Sequence, residues 1–128
     1  APVYVSREIK GADGKTEALE IDEDFDRAWR RVGVGLDRVG LNIEDRDRSA
    51  GIYYIRYLDP DYEVKKRNDE GLFSRWFSKE KPVDAPLYRV KLVSDGNKTT
   101  VTAMPDSDKT DPLSTSARIL NLLQEQVR

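Results

Sequence analysis

Three carboxylates in a short run are the residues best spaced to do chemistry. Glu44, Asp45 and Asp47 lie almost side by side, and such groups serve in acid–base catalysis or as ligands for hard cations such as Ca²⁺. Arg46 and Arg48 alternate with them. Their positive charge stabilises the ionised carboxylates and competes with a metal ion for the same oxygens. The pattern therefore favours structural ion pairing over a metal site or a catalytic pair.

Other common catalytic groups are missing. The 128 residues contain no histidine and no cysteine, which excludes the commonest general base, thiolate catalysis, disulfides and cysteine-based zinc sites. Asp106, Asp108 and Asp111 are spaced somewhat like calcium-loop ligands, but the glycine and terminal glutamate of such a loop are absent. A solvated loop is the better interpretation. We therefore predict no enzymatic activity, no metal and no cofactor.

The charges of the chain nearly cancel. There are 22 basic and 24 acidic residues, for a net charge of −2. Proteins that hold nucleic acid are usually clearly basic, so this class is disfavoured. No apolar run approaches the ~20 residues that a membrane-spanning helix needs. The length suits one domain with a core that needs no disulfide or metal.

A helix is predicted over the residues from Phe25 to Val39. Asp22 or Asp24 can cap its start, and Gly40 can end it. Its apolar residues recur at three- and four-residue spacing and form one stripe, in which core packing explains the tryptophan better than a ligand platform does: Phe25, Ala28, Trp29, Val32, Leu36 and Val39.

A β-hairpin is predicted to follow, with its turn at residues 48–51. If Ile43 faces Tyr57, Glu44 faces Arg56 in a favourable charge pair. Asp45 and Asp47 then lie near the turn, where we expect them to bond turn amides or arginines. The same register gathers the apolar side chains on one face: Leu41, Ile43, Tyr53, Ile55 and Tyr57.

The rest of the chain completes an α+β domain. Alternating residues predict strands at 18–22, 88–94 and 99–104, and Asp111 with the following proline predicts the start of a C-terminal helix. The predicted order is β-α-β-β, insertion, β-β-α. Residues 1–16 form a lead-in segment or edge strand, and residues 17–128 form a single domain with an insertion at about 59–86.

The helix and hairpin also carry a family resemblance. They read FDRAWRRVGVGLDRVGLNIEDRDRSAGIYYIRYLDP, which closely resembles the C-terminal domain of the BamC (NlpB) lipoproteins of the outer-membrane β-barrel assembly machinery. The match is dense from Phe25 to Pro60. From Leu87 to Val127 the match is weaker, and only the strand-strand-helix pattern agrees. The resemblance implies a helix-grip fold, in which a curved antiparallel sheet packs on a long C-terminal helix.

The resemblance also implies a function. A non-catalytic protein-interaction domain is expected, held at the outer membrane of a Gram-negative bacterium through a lipid anchor upstream of this chain. Its partners would be other lipoproteins or the barrel subunit of the machinery. The alternative is an apolar small-ligand or lipid binder that uses the groove between sheet and helix. That hypothesis predicts a cavity lined by five residues: Tyr53, Ile55, Tyr57, Leu120 and Leu123.

One segment of the insertion is rich in aromatic residues. It contains the candidate partner contacts Leu72, Phe73, Arg75, Trp76 and Phe77. Such side chains are seldom left to solvent, because burying each contributes ~1.5–3 kcal/mol. The segment therefore either covers part of the core or anchors a partner or the membrane interface.

The predicted helix carries basic residues outside its apolar stripe: Arg27, Arg30, Arg31 and Arg38. Two interpretations remain open. These arginines form either a solvated face, paired with Asp26 and Asp37 along the helix, or a docking surface.

Overall fold

Six strands and two helices follow one another in the order β-β-α-β-β-β-β-α in the computed structural model, which describes residues 4–57, 86–107, 111 and 114–128. The elements are β1 (Ser6–Lys10), β2 (Thr16–Ile21), α1 (Phe25–Arg38), β3 (Asn42–Asp47), β4 (Ile52–Arg56), β5 (Leu87–Asp95), β6 (Lys98–Pro105) and α2 (Thr115–Val127). The insertion predicted at about 59–86 falls almost wholly outside the described residues.

The strands form one antiparallel sheet in the order β1-β2-β6-β5-β4-β3. Inward-facing side chains alternate along each central strand, as Val90 and Leu92 do on β5. Both helices pack against this one face and against each other, and their apolar stripes close the core. The α+β class and the packing of the C-terminal helix on the sheet are as predicted.

The predicted element order was wrong at its beginning. The order left out a strand within residues 1–16, which were predicted to be a lead-in segment or an edge strand. Residues 6–10 form strand β1, which lies at the edge of the sheet and pairs with β2. Only Ile9 among its five residues is a large apolar residue, so no alternation marks the strand. It is held by main-chain pairing and by Arg7, whose guanidinium binds Glu20 and Asp22. A polar edge strand of this kind has no hydrophobic periodicity from which it could be predicted.

Helix α1 begins and packs as predicted. Asp24 is its N-cap, and its carboxylate accepts the amide of Arg27 at 3.0 Å. Trp29 is buried and stacks on Tyr53, with ring centroids 3.9 Å apart. The Tyr53 hydroxyl donates to the carbonyl of Trp29 at 2.7 Å. Burial raises the pKa of Tyr53 to about 12, so this donor keeps its proton near neutral pH.

The Tyr53 side chain lies so close to α1 that position 33 must lack a side chain. A Cβ at Gly33 would come within 2.5 Å of the Tyr53 hydroxyl oxygen. Glycine therefore lets the tyrosine reach the helix backbone, at the usual cost of glycine in a helix interior, about 1 kcal/mol relative to alanine.

The hairpin register was predicted incorrectly. Ile43 pairs with Ile55, not Tyr57, and Asp45 pairs with Tyr54, so Glu44 is the extra residue of a β-bulge. The predicted faces nevertheless hold for Tyr53 and Ile55, which are buried. The Glu44–Arg56 ion pair is also present, at 2.8 Å, because the bulge still leaves the two side chains within reach.

Helix α2 begins later than predicted. Its first residue is Thr115, and Ser114 is the N-cap without a side-chain cap bond. The Asp111 carboxylate instead accepts the amides of Thr115 and Ser116, at 3.0 and 2.9 Å. Asp111 therefore satisfies the helix start from further upstream than an ordinary N-cap.

Removing this carboxylate is expected to weaken the domain in a pH-dependent way. Partial burial would raise the pKa of Asp111, but its hydrogen bonds from Ser116, Thr115 and Tyr88 lower the pKa from its usual 3.8. The stabilisation is therefore present above pH 3.8 and is lost as the pH falls below it. At pH 7 we expect Asp111→Ala to reduce the free energy of unfolding by about 1–2 kcal/mol.

Urea denaturation of the wild type and this variant at pH 7 and pH 3 measures the effect. Asp95→Ala, at an exposed hairpin position, is the control and should change little at either pH. If Asp111→Ala lowered the free energy of unfolding by the same amount at both pH values, the charge of the carboxylate would not be what stabilises the helix.

Candidate functional site

The carboxylates of the acidic cluster make local structural contacts. Asp47 accepts the hydroxyl of Ser49 at 2.8 Å and the amide of Ala50 at 3.1 Å, as expected of a carboxylate beside a turn. These bonds, chiefly the one from Ser49, lower its pKa. Glu44 is paired with Arg56. Within the described residues, no three carboxylates are grouped so that they could hold a metal ion.

An open groove lies beside the exposed face of α1 and holds about 340 Å³. We call it the arginine groove. It is lined by residues of α1, by one residue just before α1 and by one from the end of α2: Arg27, Arg30, Arg31, Val34, Arg38, Glu23 and Gln126. The four basic side chains that the sequence placed on one helix surface thus meet in one concave site.

Close packing of the two helices forms one wall of this groove. A Cβ at Gly35 would come within 2.8 Å of the Leu123 side chain and 3.1 Å of Val127. Glycine at this position lets the last turns of α2 approach α1. Gln126 is thereby brought beside the arginines.

The arginines of the groove differ in their pairing. Arg31 binds the carboxylate of Glu23. The predicted pairing along the helix is not found for Asp26, which binds Arg48 of the hairpin turn instead. Across the described residues, the side chains of Arg27, Arg30 and Arg38 make no hydrogen bond or ion pair.

Val34 lies among these arginines and is 43% exposed. It is one of few large apolar side chains left open by the described part of the chain. Val34 was not among the predicted site residues, although the sequence shows its spacing of four residues from both Arg30 and Arg38. The contributions of Glu23 and Gln126 depend on tertiary packing, and no local pattern signals them.

A second hollow, of about 250 Å³, lies at the start of α2. There the ammonium of Lys15 donates to the hydroxyl of Ser114 at 2.6 Å, a contact that the sequence analysis did not foresee. Serine–lysine pairs occur in some hydrolases, which also need amide donors for an oxyanion. The amides of Thr115 and Ser116 are already occupied by Asp111. This pair therefore has the geometry of a structural contact.

The two remaining predicted sites have different outcomes. The aromatic segment Leu72, Phe73, Arg75, Trp76 and Phe77 lies outside the described residues. Of the five predicted cavity residues, Leu120 borders the second hollow, but Tyr53, Ile55, Tyr57 and Leu123 line neither hollow. Tyr53, Ile55 and Leu123 are instead packed within the core.

Neither described helix has the length and apolar character needed to cross a bilayer.

Comparison with known proteins assigns the chain to a family. Residues 8–127 match the family described as "Outer membrane protein assembly factor BamC-like C-terminal domain". Two relatives carry the name "Outer membrane protein assembly factor BamC". The one from Accumulibacter regalis is 40% identical over 99% of this chain, and the one from Thiobacillus denitrificans is 41% identical over 96%.

These alignments cover 33% and 34% of the two relatives. The chain thus spans about a third of the length of the curated relatives it matches. Because the family match extends over nearly all of the helices and strands described above, the chain belongs to the BamC-like C-terminal domain family of outer membrane protein assembly factors.

Proposed function

We propose that this chain is a non-catalytic protein-interaction domain of a lipoprotein in the outer-membrane β-barrel assembly machinery. Its family membership supports a role in that machinery. The arginine groove is the observation that supports docking, because three of its arginines have no partner among the described residues. Exposed arginines around an apolar side chain are typical of surfaces that bind other proteins.

The proposed partners are other lipoproteins of the machinery or its barrel subunit. A lipid anchor upstream of this chain would hold the protein at the outer membrane, with this domain in the periplasm or at the cell surface. The groove then supplies a local contact, while the anchor raises the effective concentration of the domain near its partners.

The aromatic segment is a second proposed contact. Its candidate residues, which carry large apolar area beside a positive charge, have the composition of binding hot spots: Leu72, Phe73, Arg75, Trp76 and Phe77. The segment and the arginine groove make separate predictions and can be tested separately.

The core packing favours docking over the alternative of an apolar ligand site. Ile55 and Leu123 are 0% exposed, and Tyr53 is held by its stack and its hydrogen bond. Side chains therefore occupy the space in which a lipid was expected to bind.

Crosslinking in intact cells tests the proposed function. A photoreactive amino acid at position 34 of the full-length protein should capture a component of the assembly machinery, identified by mass spectrometry. Position 76 tests the aromatic segment in the same way. Val93, which is 57% exposed on the opposite face of the sheet, is the control and should give fewer adducts. The proposal is wrong if neither position 34 nor position 76 captures a machinery component while the protein is correctly located.

A further inference from the structure

We propose that the arginine groove binds an acidic protein segment in which an apolar side chain lies between two carboxylates. This inference rests on the proposed docking function and names the chemistry of the partner. Three observations carry it: the residues of the groove, their spacing and the charge of the domain around them.

The cations of the groove select carboxylates. All four are arginines, whose planar guanidinium groups bind a carboxylate through two parallel hydrogen bonds. Arg31 is already neutralised by Glu23. The groups left for a ligand are Arg27, Arg30 and Arg38, at the two ends of the groove.

The spacing sets the pattern of the partner. Arg30, Val34 and Arg38 follow one another at four-residue intervals, so each arginine lies about 6 Å from Val34 along the same face of α1. An apolar side chain over Val34 would therefore need an acidic neighbour about 6 Å away on each side. A partner helix with acidic, apolar and acidic residues at four-residue intervals has this spacing.

The surrounding charge favours a short segment over an anionic membrane. The whole chain has a net charge of −2, so an extended anionic surface meets no general attraction. A short segment in the groove interacts chiefly with charges within a Debye length of about 8 Å at physiological salt.

Fluorescence anisotropy with a designed peptide tests the inference on the 128-residue chain. The probe is a fluorescein-labelled, alanine-based helical peptide with glutamates four residues before and after a central leucine. We expect the combined variant Arg27→Ala, Arg30→Ala, Arg38→Ala to bind it at least tenfold more weakly. Replacing the leucine of the probe by serine should weaken binding to the wild type about threefold.

A matched variant controls for overall charge. This variant loses an equal number of positive charges at other exposed positions, through Lys10→Ala, Arg46→Ala and Lys91→Ala. It should bind the probe within twofold of the wild type. Circular dichroism checks that both variants are folded. Val34→Asp offers a second route, because it places a negative charge in the groove without removing an arginine and should also weaken binding at least tenfold.

Three outcomes would overturn the inference. These are no binding of the probe by the wild type, equal losses in the two triple variants, and binding to phosphatidylglycerol vesicles that exceeds binding to the probe. The proposed function is read separately from the crosslinks in cells. Capture at position 34 without peptide binding would refute only the acidic partner. Peptide binding without capture at position 34 or 76 would refute the proposed role in the assembly machinery, although the groove would still be shown to bind acidic segments.

Discussion

Replacing Gly51 with alanine is expected to lower the free energy of unfolding by about 3 kcal/mol. Gly51 ends the turn between β3 and β4 with a φ of +72°, and its carbonyl accepts the amide of Leu92 at 2.7 Å. An added Cβ would lie 2.5 Å from the carbonyl oxygen of Leu92. The loss combines a strained left-handed alanine, about 1–3 kcal/mol, with displacement of that hydrogen bond, about 1 kcal/mol.

Gly40→Ala is the matched control. Gly40 has a φ of +78°, but a Cβ there would meet nothing within 4 Å. Gly40→Ala should therefore lower the free energy of unfolding by about 1 kcal/mol, which is the cost of the left-handed backbone conformation alone. Urea unfolding followed by circular dichroism compares the two variants. Equal losses would show that the approach of the turn to β5 does not constrain position 51.

Replacing Trp29 with alanine is expected to cost about 3–5 kcal/mol, the range for deletion of a large buried aromatic side chain. The indole lies between Phe25 and Tyr53, with ring centroids 5.6 and 3.9 Å away. Its removal leaves a cavity where α1 meets the sheet. Since domains of this size are stable by about 5–15 kcal/mol, the variant should be close to unfolding.

Two variants separate packing from other effects. Val34→Ala truncates an exposed residue of the same helix and should cost less than about 0.5 kcal/mol. Tyr53→Phe keeps the stacked ring but removes the hydrogen bond to the Trp29 carbonyl, and should cost about 1 kcal/mol. The unfolding of all three is followed by far-ultraviolet circular dichroism, because Trp29 itself contributes to the fluorescence. A loss below 1 kcal/mol in Trp29→Ala would contradict the packing described for this residue.

The parts of the fold that were predictable from sequence are those that local patterns determine. Helix α1 has a regular apolar stripe and a good capping residue, and the turn at Gly96 separates two alternating strands. The hairpin of β3 and β4 was recognised, but its register was not. The bulge at Glu44 adds one residue to β3, and the ion pair with Arg56 is compatible with both registers.

The candidate site was predictable only in part. The arginines of α1 share a helix surface that the sequence shows directly. The ion pairs around them could not be predicted from the helix sequence. Asp26 pairs with Arg48 of the hairpin turn, and Arg31 pairs with Glu23, which lies before the helix. The concave shape depends on Gly35, where two helices distant in sequence come together. Tertiary contacts of this kind leave no periodic signal.

The order of the strands has a consequence for how the domain folds. Three hairpins, β1–β2, β3–β4 and β5–β6, join neighbours in the chain, but the pairing of β2 with β6 brings Leu19 beside Val101. Because β2 and β6 are far apart along the chain, pairing them costs more chain entropy than forming any of the hairpins. We expect it to be a late event, so that Val101→Ala accelerates unfolding in stopped-flow measurements and barely slows refolding. The first hairpin would then be the part of the sheet that joins last during folding and separates first during unfolding.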